Sequence, residues 1–187
     1  MIGAEGFETV IVAIGSSPVI PDFAARYPEK VAWVGDVEEG RKQVGDNVII
    51  AGAGMTGCEA ALSLVQEGRK ITIIDMLKED QICHGGTKIN KFALLDLLEK
   101  AGVVFRVETK LIEVTDQGIL VEGPDGKQFE MACDSLVLSL GVRQNLALAD
   151  RFRDSALDCV AIGDCATEHG TLYNATSTAF AAAMNIG

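Results

Sequence analysis

Three glycines and one aspartate carry the clearest chemistry in this chain. Gly52, Gly54 and Gly57 stand in the run Val48-Ile49-Ile50-Ala51-Gly52-Ala53-Gly54-Met55-Thr56-Gly57-Cys58-Glu59. Asp75 closes a second apolar run, Ile71 to Ile74, about twenty residues past the turn. A Gly-x-Gly-x-x-Gly turn between a strand and a helix is built to hold a dinucleotide. Gly52 lets the chain turn sharply out of the strand, and Gly54 lets backbone approach a pyrophosphate with no Cβ in the way. Gly57 lets the helix pack closely on the strand. Ala53, Met55 and Thr56 supply backbone at the positive end of the helix, where phosphates are stabilised. Asp75 can accept hydrogen bonds from the two hydroxyls of the adenine-side ribose. A 2′-phosphate would meet like charge there, so the acid favours NAD over NADP. The plainer alternative is a glycine-rich turn in some other α/β protein, with Asp75 an ordinary strand-end acid. The succession of strand, turn, helix, strand and terminal acid favours the dinucleotide.

The elements that position these residues follow from periodicity. Phe7 to Ile14 reads as a buried strand broken at Gly15-Ser16-Ser17-Pro18. Residues 16–46 show little periodicity, with Pro18, Pro21 and Pro28 marking a connecting segment and Ala32 to Val34 a short strand. A turn at Val44 to Asn47 sets a domain boundary before the glycine motif. The helix after the motif carries Ala61, Leu64 and Val65 on one face and stops at Gly68. An irregular stretch with Cys83, His84, Gly85 and Gly86 precedes a second helix, Lys88 to Ala101, with Ile89, Phe92, Leu95 and Leu98 expected inward. Val103 to Val107 is then a third parallel strand, and two βαβ crossovers in series make half of a doubly wound sheet. Lys110–Val114, Ile119–Glu122 and Lys127–Ala132, separated by Gly-containing turns, read as an antiparallel meander. Ser135 to Leu140 returns to a buried strand ended by Gly141. Asn145 to Asp154 reads as helix, Cys159 to Ile162 as strand before Gly163-Asp164, and Thr176 to Ile186 as an alanine-rich helix.

Composition narrows the possibilities. The 187 residues allow one domain or two small ones, and 48% hydrophobic content is ample for a core. A net charge of −11 argues against nucleic acid or an anionic membrane as partner. No apolar stretch reaches the length of a bilayer span and no signal-peptide layout opens the chain, which points to a cytoplasmic protein. Cys58, Cys83, Cys133, Cys159 and Cys165 form no C-x-x-C pair, disfavouring a disulfide framework or iron–sulfur cluster. Cys159, Cys165 and His169 are zinc candidates only at loose spacing, and buried or incidental thiols are the better reading. No metal site is expected.

The order of segments resembles the two-dinucleotide-binding-domain flavoproteins, in which an NAD(P)H domain is inserted into an FAD domain. The resemblance rests on Ala13-Ile14-Gly15, the complete glycine motif with its meander, Ser139-Leu140-Gly141, and Ala161-Ile162-Gly163-Asp164 before an Ala-rich helix. The wording GAGMTGCEAAL, ITIIDML and VAIGDC is most similar to the C-terminal half of old yellow enzyme-like NADH:flavin oxidoreductases, the 2,4-dienoyl-CoA reductase and 2-enoate reductase group. It implies a Rossmann-type α/β domain (parallel sheet plus antiparallel meander) inserted into a partial FAD-binding Rossmann-like domain. Residues 1–46 and 146–187 would be FAD segments and residues 47–145 the NADH domain. Gly52, Gly54, Gly57 and Asp75 match the NADH fingerprint. Glu59 matches an acid near the nicotinamide end, or else is a first-turn acid favoured by the helix dipole. Gly141 matches the glycine closing the NAD domain. Gly15, Gly163 and Asp164 match the FAD return segments, Asp164 on the flavin's ribityl chain; its alternative is a cap on the next segment.

The chain also departs from that pattern. A first glycine motif for the FAD pyrophosphate has no counterpart before Gly15, and the FMN barrel and iron–sulfur cysteines are missing, as is a redox-active cysteine pair. Val142-Arg143-Gln144-Asn145 lacks the proline that usually precedes the asparagine. The reading is a piece of a larger flavoenzyme that binds NADH. FAD would be held incompletely, and FMN and the cluster would belong to the missing part. No residue here is assigned as catalyst, because the protein's contribution to hydride transfer would be positioning. A nucleotide-binding module without turnover is the alternative, and a stand-alone NAD dehydrogenase would need a substrate domain and an acid–base residue that the sequence does not offer convincingly.

Overall fold

Val48, Ile49, Ile50 and Ala51 are all buried in succession, so both faces of their strand are covered, as in the centre of a parallel sheet. The computed structural model describes residues 7–84, 86–167 and 170–186. Gly85 and His169, both singled out in the sequence, lie outside them. In chain order the strands are β1 (Thr9–Val12), β2 (Ser16–Pro18), β3 (Val31–Trp33), β4 (Asn47–Ala51), β5 (Lys70–Ile74), β6 (Val104–Arg106), β7 (Lys110–Val114), β8 (Gly118–Glu122), β9 (Gln128–Ala132), β10 (Ser135–Leu138), β11 (Val142–Gln144) and β12 (Asp158–Ala161). The helices are α1 (Val34–Glu38), α2 (Met55–Gln66), α3 (Lys88–Lys100), α4 (Leu146–Asp150) and α5 (Leu172–Met184).

Two compact units emerge. Residues 20–141 form one, and residues 1–19 with 142–187 form the other. In the first, five parallel strands lie in the order β3-β10-β4-β5-β6. Strand alternation divides the core. Val48, Ile50, Ile73 and Val137 face α2 and α3, meeting Ala61, Leu64, Leu94 and Leu98. Ile49, Ala51, Ile74, Leu136 and Leu138 face the antiparallel meander β7-β8-β9, meeting Val114, Ile119 and Val121. Helices, parallel sheet and meander therefore stack as three layers. The α/β architecture with its meander is as the sequence implies.

The division of the chain differs from the expected boundaries after residues 46 and 145. Residues 20–46 pack with the central unit because β3 adds to the sheet beside β10, with Leu136 opposite Val31 and Leu138 opposite Trp33. Three residues of strand and a five-residue helix are too short to show a period, so the segment reads in sequence as connection.

The second unit pairs β1 with β12 in parallel and β2 with β11 antiparallel. Its small core gathers Val12, Ala149 and Cys165. The proline-less segment Val142–Gln144 is β11, in register with Ser16–Pro18. Helix α5 begins earlier than expected, at Leu172, because Thr171 caps it by accepting from the Asn174 N–H. Helix α4 is shorter than expected. No helix among the described residues is long and apolar enough to cross a membrane.

One expected face is corrected. Leu94 and Leu98 are buried and Leu95 packs against them, whereas Ile89 is 81% and Phe92 66% exposed. The α3 stripe therefore runs 91, 94, 95, 98, and Ile89 and Phe92 lie on the opposite side. With apolar residues on both sides of the helix, the period was legible in sequence and the phase was not. Leu98→Ala should destabilise the chain by about 3 kcal/mol, whereas Phe92→Ala and Ile89→Ala should each change it by less than about 0.5 kcal/mol. Urea unfolding of the three variants beside the parent checks this.

Candidate dinucleotide-binding site

The site lies at the carboxyl end of the sheet, where β4 hands over to α2 between β10 and β5. Gly52 has φ +110°, and a Cβ there would stand 2.2 Å from the Ser139 carbonyl oxygen. Only glycine satisfies both the left-handed backbone and that approach. Gly57 faces the same turn, and its Cβ would stand 2.1 Å from the Gly52 carbonyl oxygen. Gly54 differs: among the described residues beyond its chain neighbours, a Cβ on it would find only His84 Cε1, at 3.8 Å. Two of the glycines are thus required by packing, and the third leaves an open face over the helix terminus.

That terminus is poor in partners. Gly54 caps α2 with no side-chain hydrogen bond, and the first turn holds no acidic residue. The N–H groups of Gly54, Thr56 and Gly57 donate to no acceptor among the described residues, while the Met55 N–H donates to the His84 carbonyl at 3.3 Å. Unpaired N–H groups at the positive end of a helix attract an anion. The residues present fit a pyrophosphate: donors, field and an open glycine face coincide.

Asp75 does more than its position at the end of β5 implies. Its Oδ2 accepts the Ala53 N–H at 2.6 Å and its Oδ1 accepts the Leu77 N–H at 2.8 Å. The carboxylate therefore ties the glycine turn to the loop after β5. Each ionised oxygen has a second lone-pair site, so ribose hydroxyls can still be accepted. The Cys83 N–H donates to the Ala53 carbonyl at 2.6 Å, and Cys83 has φ +52°, a left-handed value uncommon outside glycine. This second tie between the loop and the turn was not legible in sequence, since backbone donors carry no residue signature.

Glu59 is exposed on α2 past the first turn, where the helix dipole no longer favours an acid strongly. Gly141 follows β10 two residues beyond Ser139, whose carbonyl faces Gly52. Gly15, Gly163 and Asp164 are in the other unit. There the Ser16 hydroxyl donates to Asp164 Oδ2 at 3.3 Å, the Gly163 N–H donates to Thr178 Oγ1 at 2.9 Å, and Asn145 Nδ2 donates to the Ile14 carbonyl at 3.1 Å. Asp164 Oδ1 accepts nothing among the described residues.

All five cysteines are free thiols. Burial, together with the neighbouring Cys83 and the charges of Asp75 and Glu59, pushes the Cys58 thiol far up. Burial also raises Cys83, and raises Cys133 to about 11 against an opposing effect of Lys30. The Cys165 thiol donates to the Val12 and Ile162 carbonyls. Among the described residues no cluster of His, Cys, Asp and Glu could hold a metal ion.

With this geometry in place, the comparisons with known proteins are decisive at family level. Residues 4–179 match the pyridine nucleotide-disulphide oxidoreductase family. The chain belongs to that family. It is 30% identical to an NADH oxidase of Thermoanaerobacter brockii over 99% of this chain and 29% of that protein. It is also 30% identical to a cinnamate reductase of Clostridium sporogenes, over 97% of this chain and 27% of the relative. Its fold matches a 2-naphthoyl-CoA reductase solved with 2-naphthoyl-CoA, with TM-score 0.87 and 25% identity, covering 99% of this chain and 28% of that one. The chain thus spans under a third of the length of these relatives. The family is one of flavoprotein oxidoreductases that use NAD(P)H and FAD.

Two outcomes follow from the glycines and thiols. Gly57→Ala should cost more than about 2 kcal/mol of stability, because its Cβ meets backbone. Gly54→Ala should change stability by less than about 1 kcal/mol yet weaken NADH binding at least about tenfold by filling the phosphate face. Denaturation and NADH fluorescence separate the two. In thiol labelling at pH 8, partly exposed Cys159 should react first, and Cys58, Cys83, Cys133 and Cys165 only on unfolding.

Proposed function

We propose that this chain is the NADH-binding portion of a larger flavin-dependent oxidoreductase of the old yellow enzyme-like group, which includes the 2,4-dienoyl-CoA and 2-enoate reductases. The observation that supports it most is the pairing of an anion-seeking helix terminus under Gly54 with the Asp75 carboxylate just past the neighbouring strand. When bound, NADH would supply a hydride for FAD, and FMN and an iron–sulfur cluster in other parts of the enzyme would serve onward electron transfer to an unsaturated substrate. The N–H groups of Gly54, Thr56 and Gly57 would hold the pyrophosphate. Asp75 would hold the ribose hydroxyls and, by its charge, disfavour a 2′-phosphate. Glu59 and Gly141 are assigned toward the nicotinamide end. Gly15 and Gly163 with Asp164, whose Oδ1 is available to a ribityl hydroxyl, are assigned to FAD. The cinnamate and naphthoyl-CoA named for two similar proteins are both conjugated carboxylic-acid derivatives. That supports an unsaturated acid or acyl thioester as the final substrate.

A second reading, a module that holds the nucleotide without turnover when alone, is supported by the small share of the relatives that the chain spans. In both readings the chain's own work is to bind, orient and discriminate cofactors. The partners are then NADH and the flavin-carrying remainder of the enzyme, in the cytoplasm, with no nucleic acid or membrane bound.

Fluorescence titration tests the nucleotide assignment. NADH should bind saturably, with NADPH weaker by about tenfold or more. Asp75→Ala should narrow that gap and also weaken NADH, because the Ala53 tie is lost with the carboxylate. Binding of neither nucleotide, or tighter binding of NADPH, overturns the reading. Flavin colour in the purified chain and NADH-dependent dye reduction favour the electron-transfer reading over the silent module.

A further inference from the structure

We propose that His84 is a further phosphate-contacting residue of this site, its imidazole closing over Gly54 and donating an N–H to the dinucleotide's pyrophosphate. The proposal rests on the NADH reading above and adds a side chain that neither the glycine motif nor Asp75 implies. Three observations carry it.

The first is position. Apart from Gly54's own chain neighbours, His84 Cε1 is the one heavy atom among the described residues within 4 Å of where a Gly54 Cβ would stand, so the ring borders the face left open for phosphate. Cε1 is bonded to both ring nitrogens, and every tautomer of imidazole carries an N–H on at least one of them. The ring nitrogens themselves lie beyond 4 Å of that point, so a turn of the exposed ring would bring the protonated one over the Gly54 face. The residue is exposed, and among the described residues its ring makes no hydrogen bond.

The second is how the histidine is held. Its carbonyl accepts the Met55 N–H at 3.3 Å, and the preceding Cys83 N–H donates to the Ala53 carbonyl at 2.6 Å. Cys83 Sγ also lies 3.9 Å from Met55 Sδ. Backbone bonds on either side of the Cys83–His84 peptide fix it to the glycine turn itself, so the ring moves with the site.

The third is the backbone of Cys83, whose φ of +52° is tolerated in a buried, non-glycine residue. An uncommon conformation retained at this point turns the chain so that the N–H of residue 83 and the carbonyl of residue 84 both reach the turn. Strain of this kind concentrates where a structure positions ligands.

A contact to phosphate and a merely structural role separate by ligand. Calorimetric titration of the parent chain, His84→Ala and His84→Gln with ADP-ribose, and NMR titration with adenosine, supply the comparison. ADP-ribose carries the pyrophosphate and adenosine does not. His84→Ala should weaken ADP-ribose about tenfold while leaving adenosine unchanged, as for loss of one hydrogen bond to a charged group. His84→Gln, which restores a donor, should recover most of the loss and serves as the check on folding. The proposal is overturned if ADP-ribose binds His84→Ala as tightly as the parent, or if adenosine weakens in proportion. If the parent chain itself binds no ADP-ribose, the NADH reading falls and takes this one with it.

Discussion

The contact on which the nucleotide unit depends is the approach of the Ser139 carbonyl to the α-carbon of Gly52. There the end of β10 meets the turn that leaves β4, at a separation no side chain allows. Gly57 repeats the condition from the helix side against the Gly52 carbonyl. Together these approaches let α2 start immediately beyond the sheet, with its unpaired N–H groups facing outward from the strand ends. A methyl group at either position separates helix from sheet and disperses the donors. Packing and anion recognition are therefore one constraint, expressed in glycine.

Electrostatics complete the arrangement. The Asp75 carboxylate accepts two backbone N–H groups, one from the turn and one from its own loop. A carboxylate with two such donors is a rigid piece of the scaffold as well as a candidate ligand. Asp75 therefore joins support of the turn to the place where a ribose would be held. The sulfur-rich patch beneath, with Cys58 and Cys83 buried and their thiols held protonated by that burial, keeps the underside of the turn neutral and apolar. The thiols therefore add no charge beside Asp75 and the exposed Glu59.

The second unit is organised by backbone and small polar groups more than by apolar bulk. Asn145 ties Ile14 and Ser17 together, accepting the Ser17 hydroxyl at 2.8 Å, and Thr178 anchors Gly163. Of α5 only Ala182 is buried, while Leu172, Tyr173, Phe180 and Met184 are exposed. Among the described residues its core cluster gathers Val12, Ala149 and Cys165, against two extensive clusters in the nucleotide unit.

The sequence by itself determined the βαβ succession, the meander, the glycine turn and the strand-end acid. Each is a local property, legible because period, turn chemistry and spacing act within a few residues of one another. Only the tertiary structure decided that residues 20–46 join the central sheet, since a three-residue strand acquires meaning from the β10 edge it pairs with. It likewise decided which side of α3 faces inward, because Ile89 and Phe92 match Leu94 and Leu98 in hydrophobicity and only the neighbouring sheet breaks that symmetry. The latch formed by Cys83 and His84 was invisible for a third reason: it is made by backbone groups, which every residue possesses, and their pairing is set by where the chain returns in space.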